Sequence, residues 1–241
     1  MMDSRFLRQS PHWAALAQSP MLKQDPVGTA PAHYAAIAGF HDPRLETHKL
    51  DRQQVIDKCQ APDSDPWLSF IRIMAWGAQD KMAGGKSKVI AMFQQRDAIV
   101  EKINETKEAY DKNQAFCVWS KEPVKHLWIA YFTKALFFLR YPNDNCYIMD
   151  KWTASSYNLF MGYNHIKRHH MHMHSAAHEA AKKYEEFCAF VDAVAQELSA
   201  DLGRTISGME AEAAIFSVGG RGEKQGAWRA HVKQHAAEIG L

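Results

Sequence analysis

Trp128-Ile-Ala-Tyr-Phe-Thr-Lys134-Ala-Leu-Phe-Phe-Leu-Arg140 is followed by a polar turn containing Pro142, Asn143, Asp144 and Asn145, and then by Cys146-Tyr-Ile-Met-Asp150-Lys-Trp-Thr153. Lys134 interrupts one apolar run and Asp150 closes the next. An ammonium among Ile, Ala, Phe and Leu costs free energy unless its head reaches water or has a task. Lys134 and Asp150 are therefore the first candidates for chemistry. Two local arrangements are open here. In one, Ser120 and Pro123 start a short helix through Trp128, a tight turn occupies residues 129–132, and Thr133 caps a helix over 134–141. In the other, residues 122–140 form one continuous helix. Asp150 stands where an N-cap belongs for a helix over 152–161.

Outward from this stretch the pattern is helical. An apolar helix is expected over 67–76, ending at Gly77. A second helix is expected over 86–110, where Val89, Ile90, Phe93, Ile99, Val100 and Ile103 form a 3.6-residue stripe. Tyr184, Phe187, Cys188, Val191, Ala195 and Leu198 mark an amphipathic helix ending near Gly203. Ser207 with Glu210 forms a capping box for 209–216, and a last helix contains Trp228. Before Trp67 the chain carries Pro11, Pro20, Pro26, Pro31, Pro43, Pro62 and Pro66. That density leaves room only for short helices, near 12–18, 32–39 and 51–59. No segment has convincing period-2 alternation. The expected fold is all-α, with an irregular N-terminal helical arm over 1–66 and a helical domain over 67–241.

With 241 residues, 46% of them hydrophobic and 23% charged, the chain is long enough to bury a sizeable core. Its formal charge of +2 neither demands nor excludes nucleic acid. Cys59, Cys117, Cys146 and Cys188 are far apart and contain no Cys-x-x-Cys, so reduced thiols are expected rather than a disulfide framework or a metal cluster. No window has the roughly 20 apolar residues of a membrane span, and the N-terminus lacks a signal-peptide core. A soluble, cytoplasmic protein without membrane partners is expected.

The Lys134–Asp150 stretch resembles the helix-hairpin-helix base-excision glycosylases, and within them the compact bacterial relatives of 8-oxoguanine DNA glycosylase. Thr133-Lys134-Ala-Leu-Phe-Phe-Leu139 matches the family's lysine-bearing helix, and Tyr147-Ile-Met-Asp150-Lys-Trp152 its aspartate segment. The resemblance is carried by residues 128–160 and extends loosely over the flanking helices from Trp67 to Phe216. It implies a helix-hairpin-helix glycosylase-like fold. It also implies excision of a damaged or modified purine such as 8-oxoguanine from DNA, with associated lyase activity and no cofactor. Lys134 would attack the sugar C1′, and Asp150 would stabilise the cationic sugar. Burial and the positive end of a helix starting at Thr133 would favour the neutral amine. Lys125, His126, Lys151, Trp152, Lys167 and Arg168 are the residues expected to contact nucleic acid. Aromatic side chains would hold the flipped base. The family hairpin usually carries glycines that admit a phosphate, whereas Ala130, Tyr131 and Phe132 stand at the turn expected here.

His165, His169, His170, His172, His174 and His178 crowd one stretch. A solvated loop is the first reading, nucleic-acid contact the second and metal the third; no metal site is assigned. Gly219-Gly220-Arg221-Gly222 reads as a turn between helices, and Gly84-Gly85-Lys86-Ser87 lacks the rest of a phosphate loop. The alternative to catalysis is a glycosylase-like module that binds nucleic acid or a modified base without cutting. The resemblance also implies, through such bacterial relatives, a place in an antiviral defence complex with other defence-system proteins as partners.

Overall fold

A computed structural model describes residues 5–19, 27–78, 85–167, 177–217 and 226–240. Among these residues every regular element is a helix and no strand occurs, as the expected all-α class requires. The chain divides into two compact units, residues 24–146 and residues 1–23 with 147–241.

In the 24–146 unit, α3 (Pro31–Ala36), α4 (Arg52–Gln60), α5 (Pro66–Gly77), α6 (Lys86–Phe93), α7 (Arg96–Glu108), α8 (Lys112–Lys121) and α9 (Ile129–Arg140) follow in order. Helix α5 is the hub. Every residue from Trp67 to Ala75 is buried, the mark of a helix covered on all sides, and α3, α4, α7 and α9 pack around it. Its start is set locally: Asp65 accepts from the backbone N–H groups of Trp67 and Leu68, and Pro66 occupies the first turn. Its far end receives residues 28–29. Gly28 has φ +73°, a Cβ there would lie 2.1 Å from the Ala75 carbonyl oxygen, and Thr29 N–H donates to that oxygen at 3.0 Å. Only glycine permits such an approach. The proline-rich residues after 24 therefore pack in the same unit as α5.

The helix boundaries expected near Gln95 and Pro123 fail in this unit. The helix expected over 86–110 is broken at Gln94–Gln95 into α6 and α7. The Gln95 side-chain amide is engaged elsewhere: its Oε1 accepts from Lys125 N–H at 3.0 Å and its Nε2 donates to Lys125 O at 3.3 Å and Ala91 O at 2.8 Å. The helix expected from Ser120 through Trp128 is absent. Helix α8 ends at Lys121 because Pro123 holds Glu122 in extended backbone (φ −128°, ψ 84°), so the proline terminates a helix instead of opening one.

The other unit contains α1 (Arg5–Gln9), α2 (Trp13–Ala17), α10 (Lys151–Met161), α11 (Ala177–Leu202), α12 (Gly208–Phe216) and α13 (Ala227–Gln234), followed by a 3-10 turn over Ala236–Ile239. Arg8 pairs with Glu197 and, at 2.7 Å, with Asp201. Trp13 Nε1 donates to Asp201 at 3.0 Å. These contacts strap α1 and α2 onto α11. The Ser207–Glu210 capping box of α12 forms as expected. No described helix is long and apolar enough to cross a membrane.

Candidate functional site

The hairpin lies between α8 and α9, earlier than residues 129–132. Leu127 N–H donates to Val124 O at 3.0 Å, closing a β-turn whose third residue, His126, has φ +71°. A turn of this kind normally takes glycine or asparagine there. Lys125 is exposed at its second position and His126 is half-buried. Ala130, Tyr131 and Phe132, expected to form the turn, are in the first turns of α9.

Neither helix arrangement open to the sequence is the one formed. Helix α9 begins at Ile129, after Trp128. Thr133 is not its cap; the buried hydroxyl donates back to Ile129 O at 2.6 Å. Lys134 consequently lies in the second turn, and the positive helix end, which acts within the first turn, does not act on it as expected. Its Nζ donates to Ala130 O at 2.5 Å and sits 5.5 Å from the Tyr131 ring centre. Its stem runs against Gly77, the last residue of α5, where a Cβ would lie 2.9 Å from both Cδ and Cε.

Gly77, Tyr131, His126 and Tyr34 help to line a cavity of about 40 Å³. That is room for ordered water and far below the roughly 300 Å³ of a ligand pocket, so a flipped purine does not fit in it as it stands. Burial raises the pKa of both tyrosines, with Tyr131 adding to the effect at Tyr34. Both hydroxyls therefore remain protonated hydrogen-bond donors at neutral pH. A larger groove of about 500 Å³ along α7 and α8 carries Glu105, Glu108 and Glu122 beside Lys102 and Lys121. Its acidic share is the wrong sign for a phosphate backbone.

In the other unit Asp150 caps α10, as its position in the sequence suggested. Its Oδ1 accepts from Trp152 N–H at 2.7 Å and Thr153 N–H at 3.0 Å, and Thr153 Oγ1 accepts from Asp150 N–H at 2.9 Å. Directly after the cap, exposed Lys151 lies 4.9 Å from the ring of half-buried Trp152. Two residues of α13, not singled out from sequence as partners of Trp152, complete the patch. The Arg229 guanidinium lies 4.5 Å from the Trp152 ring and 4.5 Å from Phe216, and Lys233 lies 5.5 Å from Trp152. Arg229 is buried and donates to Phe216 O at 2.7 Å. Burial lowers its pKa and the Asp150 carboxylate offsets only part of that; a guanidinium stays charged throughout. The i, i+4 spacing of Arg229 and Lys233 was a usable sign that they share a helix face.

Lys167 is exposed after α10, and Arg168 lies outside the described residues. So do His169, His170, His172 and His174, as well as Gly84 and the 219–222 glycine turn. His165, read as part of a solvated loop, instead pairs with Glu186 at 2.8 Å.

Helix α8, the turn at Val124–Leu127 and α9, which itself carries Lys134, make a helix-hairpin-helix in an all-helical chain. The chain matches the family described as "Putative 8-oxoguanine DNA glycosylase OGG-like protein" over residues 2–216 and belongs to it. At that level it is a protein of a DNA glycosylase family. No curated protein and no solved structure matches it.

Proposed function

We propose that the protein excises a damaged or modified purine, 8-oxoguanine foremost, from DNA and then cleaves the strand as an abasic-site lyase. The observation that carries this reading is the half-buried Lys134 amine in the helix after the hairpin, its stem seated on Gly77. The neutral amine attacks C1′ of the damaged nucleotide as the C1′–N bond to the base breaks. The departing base takes up a proton; loss of the amine proton and opening of the sugar ring give a Schiff base, and removal of a C2′ proton then expels the 3′ phosphate as the C2′=C3′ double bond forms. The negative Asp150 carboxylate stabilises positive charge on the sugar as the base departs. Lys125 and His126 approach a phosphate at the hairpin turn, Lys151, Lys233 and Lys167 neutralise backbone charge, and Trp152 offers a stacking face.

Borohydride trapping on duplex DNA containing 8-oxoguanine tests the reading. Wild type forms a covalent adduct and Lys134→Gln forms none. An adduct undiminished in Lys134→Gln removes the lysine nucleophile. The cavity of about 40 Å³ lined by Gly77 and Tyr131, too small for a flipped purine as it stands, favours one alternative, a module that binds modified DNA without cutting, as in a defence complex. Tight DNA binding by wild type with no base release selects that alternative.

A further inference from the structure

His12, at the start of α2, meets His231 and His235 of α13 and its following turn within the 1–23/147–241 unit. One ring nitrogen from each lies within 4.8 Å of the others. His12 Nδ1 and His231 Nε2 are 3.0 Å apart, and the His231 and His235 ring centres are 4.3 Å apart. Two nitrogens bound to one zinc at about 2.0–2.1 Å stand roughly 3.3 Å apart in tetrahedral geometry. The first pair already has that separation, and the widest is within about 1.5 Å of it.

The surroundings suit a metal as well. His12 is 7% exposed, and burial with mutual repulsion lowers the pKa of His12 and His231, which favours the unprotonated imidazoles a cation needs. The Trp228 ring stacks on His231 with a 21° interplanar angle, fixing the ring plane. Glu238 Oε1 lies 2.5 Å from His235 Nδ1. That contact orients the ring, as in the carboxylate–histidine arrangement found behind zinc ligands.

We propose that His12, His231 and His235 form a tripod for a first-row divalent cation, zinc foremost, with Glu238 as the carboxylate behind His235 and a remaining position open to water. Imidazole donors suit zinc, cobalt and nickel over magnesium or calcium. The tripod joins residues that are 219 positions apart between His12 and His231, so the ion pins α2 to α13. The site stands apart from the glycosylase reading and needs no DNA.

The test uses tag-free full-length protein stripped with a chelator and titrated with Co²⁺ and then Zn²⁺. The cobalt absorption bands, bound metal per chain and thermal midpoint are followed. Because other histidines crowd residues 165–178, one control carries asparagine at His169, His170, His172 and His174. Wild type and the control are expected to bind an equivalent at the tripod and to gain thermal stability with zinc. His235→Asn is expected to weaken binding at least 100-fold and to lose the zinc-dependent gain. Glu238→Gln, which removes no ligand and serves if His235→Asn misfolds, is expected to weaken binding about 10-fold. No metal bound by wild type, binding unaltered in both variants, or binding lost only in the asparagine control would each overturn the tripod.

Discussion

Gly77 and the aliphatic stem of Lys134 occupy space that a single methyl group would fill: a Cβ at Gly77 would lie 2.9 Å from Cδ and Cε of the lysine. The clash falls on the far end of a flexible side chain, so Gly77→Ala is expected to change stability by less than about 1 kcal/mol. The amine, however, must move. A displacement near 1 Å of a reacting group costs up to about 100-fold, so borohydride trapping should slow about 10- to 100-fold while circular dichroism and Tm stay near wild type. A folded Gly77→Ala protein that traps at the wild-type rate would separate the glycine from the chemistry.

Trp152 sits among Lys151, Arg229 and Lys233, and these residues should divide DNA binding between two measurable terms. Stacking on an aromatic face is worth about 1–3 kcal/mol per base, so Trp152→Ala should weaken binding roughly 10-fold or more with little change in salt slope. Lys233→Ala removes a phosphate contact and should reduce the slope of log K against log salt by about 0.9 for duplex DNA. Fluorescence anisotropy at several salt concentrations reads both. Identical slopes in wild type and Lys233→Ala would take Lys233 off the backbone.

What could be read from the sequence was what local chemistry decides. Asp150 as a cap and Ser207 with Glu210 as a capping box follow from residues three apart, and the apolar α5 follows from composition. The break between α6 and α7 was hidden because Gln95 answers to Lys125, in a different element. The hairpin was displaced because His126 adopts a backbone conformation that glycine usually signals. Thr133 has the residue type of a cap but, with the turn ending before Trp128, is a buried hydroxyl within the helix. Arg229 over Trp152 and His12 beside His231 are tertiary contacts with no local signature, so those parts of the candidate sites needed the fold.

Gly208, the first residue of α12, is fitted to Tyr147. A Cβ there would lie 1.8 Å from the tyrosine oxygen, whose hydroxyl donates to Asp192 at 2.5 Å while the backbone N–H of Tyr147 donates to the Tyr184 hydroxyl at 3.1 Å. The ring is 1% exposed and has no room to retreat. Gly208→Ala should destabilise the protein by about 2–3 kcal/mol, measured by urea denaturation. Tyr147→Phe with Gly208→Ala should recover part of the loss by relieving the contact with the oxygen. A neutral single substitution would contradict this packing.

Glu46, partly buried between two cations, gives a pH dependence of stability. Burial alone would raise its pKa, but hydrogen bonds from Arg72, its own backbone and Lys58 outweigh burial and leave it below the ordinary value of 4.5. Arg72 Nε lies 3.0 Å from Glu46 Oε2, and Lys58 Nζ lies 3.0 Å from Oε1. A carboxyl with a depressed folded pKa contributes stability that is full above its unfolded pKa and is lost as pH falls through the folded one. Wild-type stability attributable to Glu46 should therefore hold at neutral pH and decline below about pH 4.5. Glu46→Gln leaves the buried Arg72 without its counter-charge and should cost about 3 kcal/mol at pH 7. Because the variant has no carboxyl to protonate, the gap between the two proteins should narrow as pH falls. Chemical denaturation of both proteins from pH 7 to pH 3.5 measures it, and a gap that stays constant with pH would show that the Glu46–Arg72 pair does not set the acid limb.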